Sequence, residues 1–277
     1  MNRKQALHQA QKLLAGSDIE DTPIEAELLL RHTLQISRAE LYTEFELELN
    51  QRQEITYRQL LERRLSGEPS AYITGHREFY GLDFHVNPAV LIPRPESELL
   101  VEKAIIITRN ADITTIADIG TGCGAIAVSL ATRLPVTRIY ATDISAPALE
   151  IARLNCQKHG ASDKVHLLHG DMLDPLPEPV DLIIANLPYV KSSELPPTGE
   201  PALALNGGAK GWDKIKRFCH QINGRLQPQG RVLLEIGLGQ GKALSALLRR
   251  LFPTSEIEIT PDLSGIERVL SLRLTAD

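Results

Sequence analysis

Thr115-Ile116-Ala117-Asp118-Ile119-Gly120-Thr121-Gly122-Cys123-Gly124 is the stretch that decides the fold. Its first half is a short apolar run ending at an acid, the pattern of a strand buried on both faces of a sheet. Its second half is rich in glycine and leads into an apolar helix over 125–131. Glycines are needed where backbone turns sharply and lets a ligand approach closely. The start of the following helix offers unpaired N–H groups. Outward from this stretch, helical and β-rich segments alternate from Glu96 onward. Strands are expected at 115–118, 138–143, 165–169, 180–185, 231–236, 255–260 and 268–274. Helical stretches separate most of them, which implies a parallel sheet covered by helices on both faces. The last two strands lie too close in sequence for a helical crossover and are expected to pair antiparallel.

The front of the chain has a different period. Apolar residues recur at three- and four-residue steps in Leu7, Ala10, Leu13, Leu14, in Ile24, Leu28, Leu29, and in Ile55, Leu60, Leu61, Leu65. This is a small helical bundle. Asp21-Thr22-Pro23 reads as an N-cap followed by a first-turn proline. Residues 79–86 then alternate around Gly81, as a strand or hairpin does. Pro88, Pro93 and Pro95 interrupt regular structure after it. The expected organisation is a helical domain over 1–74, a β-hairpin linker over 75–92 and an α/β domain over 93–277. A length of 277 residues suits one large domain with a smaller companion.

Charge and cysteine usage narrow the function classes. The formal net charge is -5, and residues 1–86 hold 10 basic against 14 acidic residues. No basic face of the kind that grips phosphates is evident, so no direct nucleic-acid contact is expected. Cys123, Cys156 and Cys219 form no CxxC pair, which argues against a disulfide framework or a zinc site. Among the histidines only His166 and His169 come close to metal-ligand spacing; they flank one strand end and read as surface residues, and no metal is expected. Met1-Asn2-Arg3-Lys4-Gln5 runs into an amphipathic stretch, and no apolar run has the length of a membrane span. A monomer in a reducing cytoplasm is the expectation.

The glycine spacing is G-x-G-x-G, not the G-x-G-x-x-G of dinucleotide folds, and Asp118 precedes it. A carboxylate is ill placed beside a pyrophosphate but tolerable beside a sulfonium and an ammonium group. Asp118, Gly120, Thr121, Gly122, Cys123 and Gly124 therefore read as a site for S-adenosylmethionine in preference to NAD. The second strand ends in Asp143, about twenty residues past the glycines, where an acid can accept hydrogen bonds from both ribose hydroxyls. The third ends in His169-Gly170-Asp171-Met172, whose Asp171 and Met172 would flank an adenine ring. Turn glycines and helix-capping acids are the blander reading, and the ordered series of strand, acid, glycines, helix, strand and acid weighs against it.

The fourth strand ends in Asn186-Leu187-Pro188-Tyr189. Ligands of open α/β sheets bind beyond the carboxyl ends of strands, so this tetrapeptide falls beside the glycine loop. An amide or aromatic amine nitrogen is a poor nucleophile because its lone pair is delocalised. A site that activates it must accept both N–H groups and aim the lone pair. The Asn186 side-chain oxygen can accept one N–H and the Leu187 carbonyl the other. Pro188 holds the residue before it extended, and Tyr189 offers a flat face. This chemistry leaves a protein amide and an adenine equally open. The same four residues also make an ordinary strand exit, and their place after the fourth strand is what singles them out.

Several segments resemble the release factor glutamine methyltransferases (the HemK family). They are Gly67-Glu68-Pro69-Ser70-Ala71-Tyr72-Ile73-Thr74-Gly75, Arg77-Glu78-Phe79-Tyr80-Gly81-Leu82 and Leu91-Ile92-Pro93-Arg94-Pro95-Glu96-Ser97-Glu98. The glycine loop and Asn-Leu-Pro-Tyr follow, then Glu200-Pro201, Leu205-Asn206-Gly207-Gly208, Asp262-Leu263-Ser264-Gly265 and Glu267-Arg268-Val269-Leu270. The resemblance implies a class I S-adenosylmethionine-dependent methyltransferase, with a Rossmann-like seven-stranded sheet and a small N-terminal helical-bundle docking domain. It implies transfer of a methyl group to the side-chain amide of the glutamine in the Gly-Gly-Gln motif of peptide chain release factors, which supports translation termination. By residue matching, Gly120–Gly124 and Asp143 would bind the cofactor. Asn186 would contact cofactor and substrate, and Leu187, Pro188 and Tyr189 would hold the glutamine. The family tetrapeptide commonly has proline where Leu187 stands, so the carbonyl there, more than the side chain, is expected to matter. An aromatic often replaces Met172. An adenine-N6 methyltransferase on DNA or RNA and a non-catalytic cofactor-binding scaffold are the competing functions. Arg94, Glu96 and Glu98 read equally as a polar cluster near the site or a salt-bridged helix start. Phe79 reads as a core aromatic and Cys123 as a small filler.

Overall fold

In a computed structural model, which describes every residue except 18, 20, 136, 137, 197, 198, 276 and 277, the chain forms two compact units, Met1–His76 and Arg77–Asp277. The first contains α1 (Arg3–Leu14), α2 (Thr22–Leu34), α3 (Arg38–Thr43), α4 (Gln51–Leu65) and α5 (Ser70–Thr74). Helices α1, α3 and α4 each start with a reciprocal capping box, Asn2 with Gln5, Ser37 with Glu40 and Asn50 with Gln53. Asp21 does precede α2, but in left-handed backbone and with no side-chain cap bond. Leu14, Leu29, Leu30 and Leu41 are fully buried in this unit's core. Leu13, Ile24, Ile55 and Leu65, counted into the apolar stripes by spacing, lie exposed.

The hairpin of β1 (His76–Phe79) and β2 (Leu82–His85) turns at Tyr80-Gly81, both at positive φ. Phe79 and Phe84 are buried, ring edge against ring face. The chain continues through α6 (Glu98–Asn110), β3 (Thr115–Ile119), α7 (Ala125–Arg133), β4 (Arg138–Asp143), α8 (Ala146–Lys158), β5 (Val165–His169) and β6 (Val180–Ala185). It ends with α9 (Ala202–Leu205), α10 (Asp213–Gln221), β7 (Leu226–Glu235), α11 (Gly241–Leu251), β8 (Glu256–Pro261) and β9 (Glu267–Arg273). All seven expected strands form one sheet, in the order β5-β4-β3-β6-β7-β9-β8. Neighbours from β5 to β7 pair in parallel, and β9 runs antiparallel to β7 and β8. Strand β7 begins five residues earlier than its pattern suggests, because Pro228 and Gly230 read as breakers. They sit where the pairing with β6 shifts register between Val180 and Leu182, a bulge that tolerates both residue types.

The chain leaves β3 toward β4 on one side and returns to β6 on the other, so a crevice opens beyond the carboxyl ends of these strands. At the opposite end, one oxygen of Asp181 accepts the backbone and hydroxyl donors of Thr114 and Thr115, at 2.9–3.0 Å. That bond set locks the register of β3 against β6. Asn155 of α8 ties the hairpin to the glycine loop. Fully buried, it accepts from the His85 N–H at 2.8 Å and donates to the carbonyls of His85 and Cys123 at 3.0 and 2.8 Å. Asn155→Ala is expected to cost about 2–4 kcal/mol, since buried backbone groups lose their partners. A urea unfolding midpoint unchanged from wild type would contradict this.

Candidate active site

A cleft lies in the crevice, lined by Gly120, Gly122, Asp143, Met172, Asn186 and Leu187 among others. The loop after β3 is folded by carboxylates. The N–H groups of Gly120 and Thr121 both donate to the Thr142 carbonyl at 2.9 Å. The Gly122 N–H donates to Asp143 Oδ2 at 2.9 Å, and Ser145 N–H donates to Oδ1 at 2.8 Å. Asp143 thus shapes the loop and also faces the cleft. Burial pushes its carboxyl up from the usual range, against the pull of these backbone bonds. Gly120 has φ +72°, and a Cβ there would come within 3.4 Å of Leu187 Cδ2.

Asp118, Thr121, Cys123 and Gly124 stand one layer behind the cleft lining. Asp118 is 1% exposed, and its Oδ2 accepts the Thr121 hydroxyl at 2.7 Å and the Ala127 N–H at 3.2 Å. Burial pushes its carboxyl up to about 6. Cys123 is buried and its thiol is pushed up to about 12, so it is a filler and no nucleophile. Asp171 and Met172 both line the cleft. Met172 takes a left-handed backbone whose carbonyl accepts the Thr142 hydroxyl at 2.9 Å, and Asp171 is paired with Arg217.

Asn186, Leu187 and Pro188 line the cleft, with Tyr189 behind them. Leu187 contributes more than a carbonyl. Its side chain is 4% exposed in the core beneath the sheet end, against Gly120. The segment Asn206-Gly207-Gly208 wraps the tetrapeptide. Gly207 N–H donates to the Val190 carbonyl at 2.8 Å. A Cβ on Gly207 would lie 2.5 Å from the Gly211 carbonyl oxygen and 2.7 Å from that of Pro188, so only glycine fits.

Two residues under the site were not singled out by sequence reasoning. Ser97 and Glu235 are 4% and 1% exposed. The Asn186 amide donates from Nδ2 to Ser97 Oγ at 2.9 Å, Ser97 donates to Glu235 Oε2 at 2.6 Å, and the Tyr189 hydroxyl donates to Oε1 at 3.1 Å. Burial pushes the Glu235 carboxyl up, opposed by these two donors and by Arg268. Glu235 is marked in the sequence only as an acid closing an apolar strand, and Ser97 only as part of the 91–98 segment. Of the Arg94, Glu96 and Glu98 cluster, Arg94 pairs with the distant Glu200 at 2.5 Å, and Glu98 accepts the Tyr80 N–H at 2.8 Å. Leu203, Ala204 and Lys214 also line the cleft, with no motif to announce them.

The strand order, the acid-flanked glycine loop and the cleft are those of class I S-adenosylmethionine-dependent methyltransferases. Residues 96–198 match the methyltransferase small domain, and residues 5–75 match the PrmC N-terminal domain. Two solved structures share the fold. A methyltransferase from Pyrococcus furiosus has a TM-score of 0.54 at 19% identity, over 79% of this chain and 98% of that one. A tRNA m1G37 methyltransferase of M. jannaschii has a TM-score of 0.51 at 17% identity, over 73% and 57%. The release factor glutamine methyltransferase of Moorella thermoacetica is 41% identical over 274 residues, 97% of each chain. That of Koribacter versatilis is 39% identical over 98% of each. The chain belongs to the release factor glutamine methyltransferase family.

An acid whose folded pKa is raised is favoured neutral in the fold, so it adds stability as pH falls through about 6 toward its ordinary 3.8. Wild type is therefore expected to gain unfolding stability relative to Asp118→Asn between pH 7.5 and 5. A pH-independent difference between the two melting curves would contradict the burial account.

Proposed function

We propose that this chain transfers the methyl group of S-adenosylmethionine to the side-chain amide nitrogen of the glutamine in the Gly-Gly-Gln motif of peptide chain release factors, in support of translation termination. Membership of the family supports the reaction. The observation that carries it on the chain itself is the Asn186 side chain. Its Nδ2 is tied to Ser97, and its Oδ1 meets no donor among the described residues, so a cleft-lining acceptor is left for an incoming N–H.

S-adenosylmethionine supplies an electrophilic methyl group when bound. The residues fit it. Gly120 and Gly122 bring bare backbone to the cleft, Asp143 offers carboxylate lone pairs for ribose hydroxyls, and Met172 with Ile144 offers apolar wall for a purine. Asp171 joins Met172 in that wall. Asp118, Thr121, Cys123 and Gly124 hold the loop in shape behind it. On the acceptor side, Asn186 Oδ1 takes one amide N–H and the Leu187 carbonyl the other, Pro188 holds that carbonyl in place, and Tyr189 backs the planar group. These acceptors favour the positive charge that gathers on nitrogen as it attacks. The proton becomes acidic only as the new bond forms, so no strong base is needed and positioning does most of the work.

The protein substrate sets the remaining expectations. We assign the helical domain over 1–74 to docking of the release factor, with residues 75–92 as the linker and 93–277 as the catalytic part. A cytoplasmic monomer without direct nucleic-acid contact suits that role. Among the described residues no helix is long and apolar enough to cross a membrane.

The test is transfer of labelled methyl from S-adenosylmethionine to an unmethylated release factor, beside one with its loop glutamine changed to alanine. Label on the first alone is expected. Label on both, on a nucleic acid instead, or on neither would overturn the reading. Asn186→Ala is expected to lower kcat by about 100-fold or more while cofactor binding largely survives. Asp143→Ala is expected to do the reverse, weakening cofactor binding by about 100-fold as measured calorimetrically, since a carboxylate accepting two hydroxyls is lost. Equal cofactor affinity in that variant would remove Asp143 from the site.

A further inference from the structure

We propose that Ser97 and Glu235 are positioning residues that fix which end of the Asn186 amide faces the cleft, and so make the site prefer an NH2-bearing side chain over a carboxylate. The proposal rests on the acceptor site proposed above. Glu235 ends β7 with both oxygens occupied by hydroxyl donors, Ser97 on Oε2 and Tyr189 on Oε1. A serine has one hydrogen to give. Ser97 gives it to Glu235 across 2.6 Å. Toward Asn186 it can therefore only accept, and the atom at 2.9 Å must be the donor Nδ2. Turning the amide over would set Oδ1 against Ser97 Oγ with no hydrogen between them, in a pocket where Ser97 and Glu235 are 4% and 1% exposed. Buried acceptors facing one another without a proton are strongly disfavoured.

The polarity thus runs one way, from Glu235 through Ser97 to Asn186. It leaves Oδ1 for the cleft and never Nδ2. A glutamine amide meets an acceptor there, whereas a glutamate carboxylate meets lone pairs against lone pairs. The same carboxyl group holds the Tyr189 hydroxyl, so the aromatic wall and the amide acceptor are set by one buried side chain. Neither Ser97 nor Glu235 lines the cleft, so they act only through Asn186 and Tyr189.

The test compares full-length wild type with Ser97→Ala, Ser97→Thr and Glu235→Gln. Three readouts are taken: kcat and KM with unmethylated release factor, calorimetric affinity for S-adenosylmethionine, and solvent-exchange protection of the Asn186 side-chain NH2 by NMR. A fourth is the relative affinity, with S-adenosylhomocysteine bound, for release factor carrying loop glutamine or loop glutamate. Ser97→Ala and Glu235→Gln are expected to lower kcat by about 10–100-fold, with cofactor affinity within about twofold. Both should lose NH2 protection and at least about tenfold of the glutamine preference. Ser97→Thr, which keeps the hydroxyl, should recover most of each. Unchanged protection and preference in both variants would overturn the proposal, as would a fall in kcat matched by an equal loss of cofactor affinity. The NH2 protection needs no substrate. If wild type fails to label the release factor while protection behaves as described, the functional reading fails and the positioning role stands.

Discussion

The interaction on which the site depends is the Asp143 carboxylate at the end of β4. It takes the Gly122 N–H on one oxygen and the Ser145 N–H on the other. The first bond closes the glycine loop and the second starts α8 from Ser145. One side chain therefore sets the two backbone segments that frame the cleft while itself facing into it. The same device recurs at neighbouring strand ends. Asp118 holds the loop from below through Thr121 and Ala127, and Glu235 holds the acceptor side through Ser97 and Tyr189. In a parallel sheet the carboxyl ends of the strands all open on one side, so acids placed there converge on one ligand region.

Burying these carboxylates is unfavourable, and the raised pKa values of Asp118, Asp143 and Glu235 record it. Each is offset in part by hydrogen-bond donors from the segments it positions. The folded protein exchanges some stability for loops held rigid before any ligand arrives, which is what positioning catalysis requires. Asp181 plays the equivalent part at the far end of the sheet. Being half-buried and offered four donors, it needs no such exchange.

The sheet was legible because buried parallel strands leave continuous apolar runs, and all seven were found within a few residues. The start of β7 was hidden by Pro228 and Gly230, since a bulge carries the residues of a turn. In the front unit the periodicity identified helices but overstated their buried faces at Leu13, Ile24, Ile55 and Leu65. The glycine loop, Asp143 and Asn186 were readable because their chemistry is tied to strand ends in sequence. Ser97 and Glu235 were not, because they are 138 residues apart and their roles exist only once the sheet brings β7 beside β6. The rim residues Leu203, Ala204 and Lys214 were invisible for the same reason.

Leu187 shows why the two halves of the site cannot be treated separately. Its side chain is buried against the place where Gly120 lacks a Cβ, while its backbone carbonyl belongs to the acceptor side. Any shift of the glycine loop moves Leu187, and Leu187 moves the carbonyl that receives the amide N–H. Gly207 clamps the same segment from outside, against the carbonyls of Pro188 and Gly211. Donor and acceptor pockets are therefore coupled through direct packing. A reaction whose acceleration comes from lining up a weak nucleophile with a methyl group has most to gain from such coupling, because an error of position on either side is an error in the line between them.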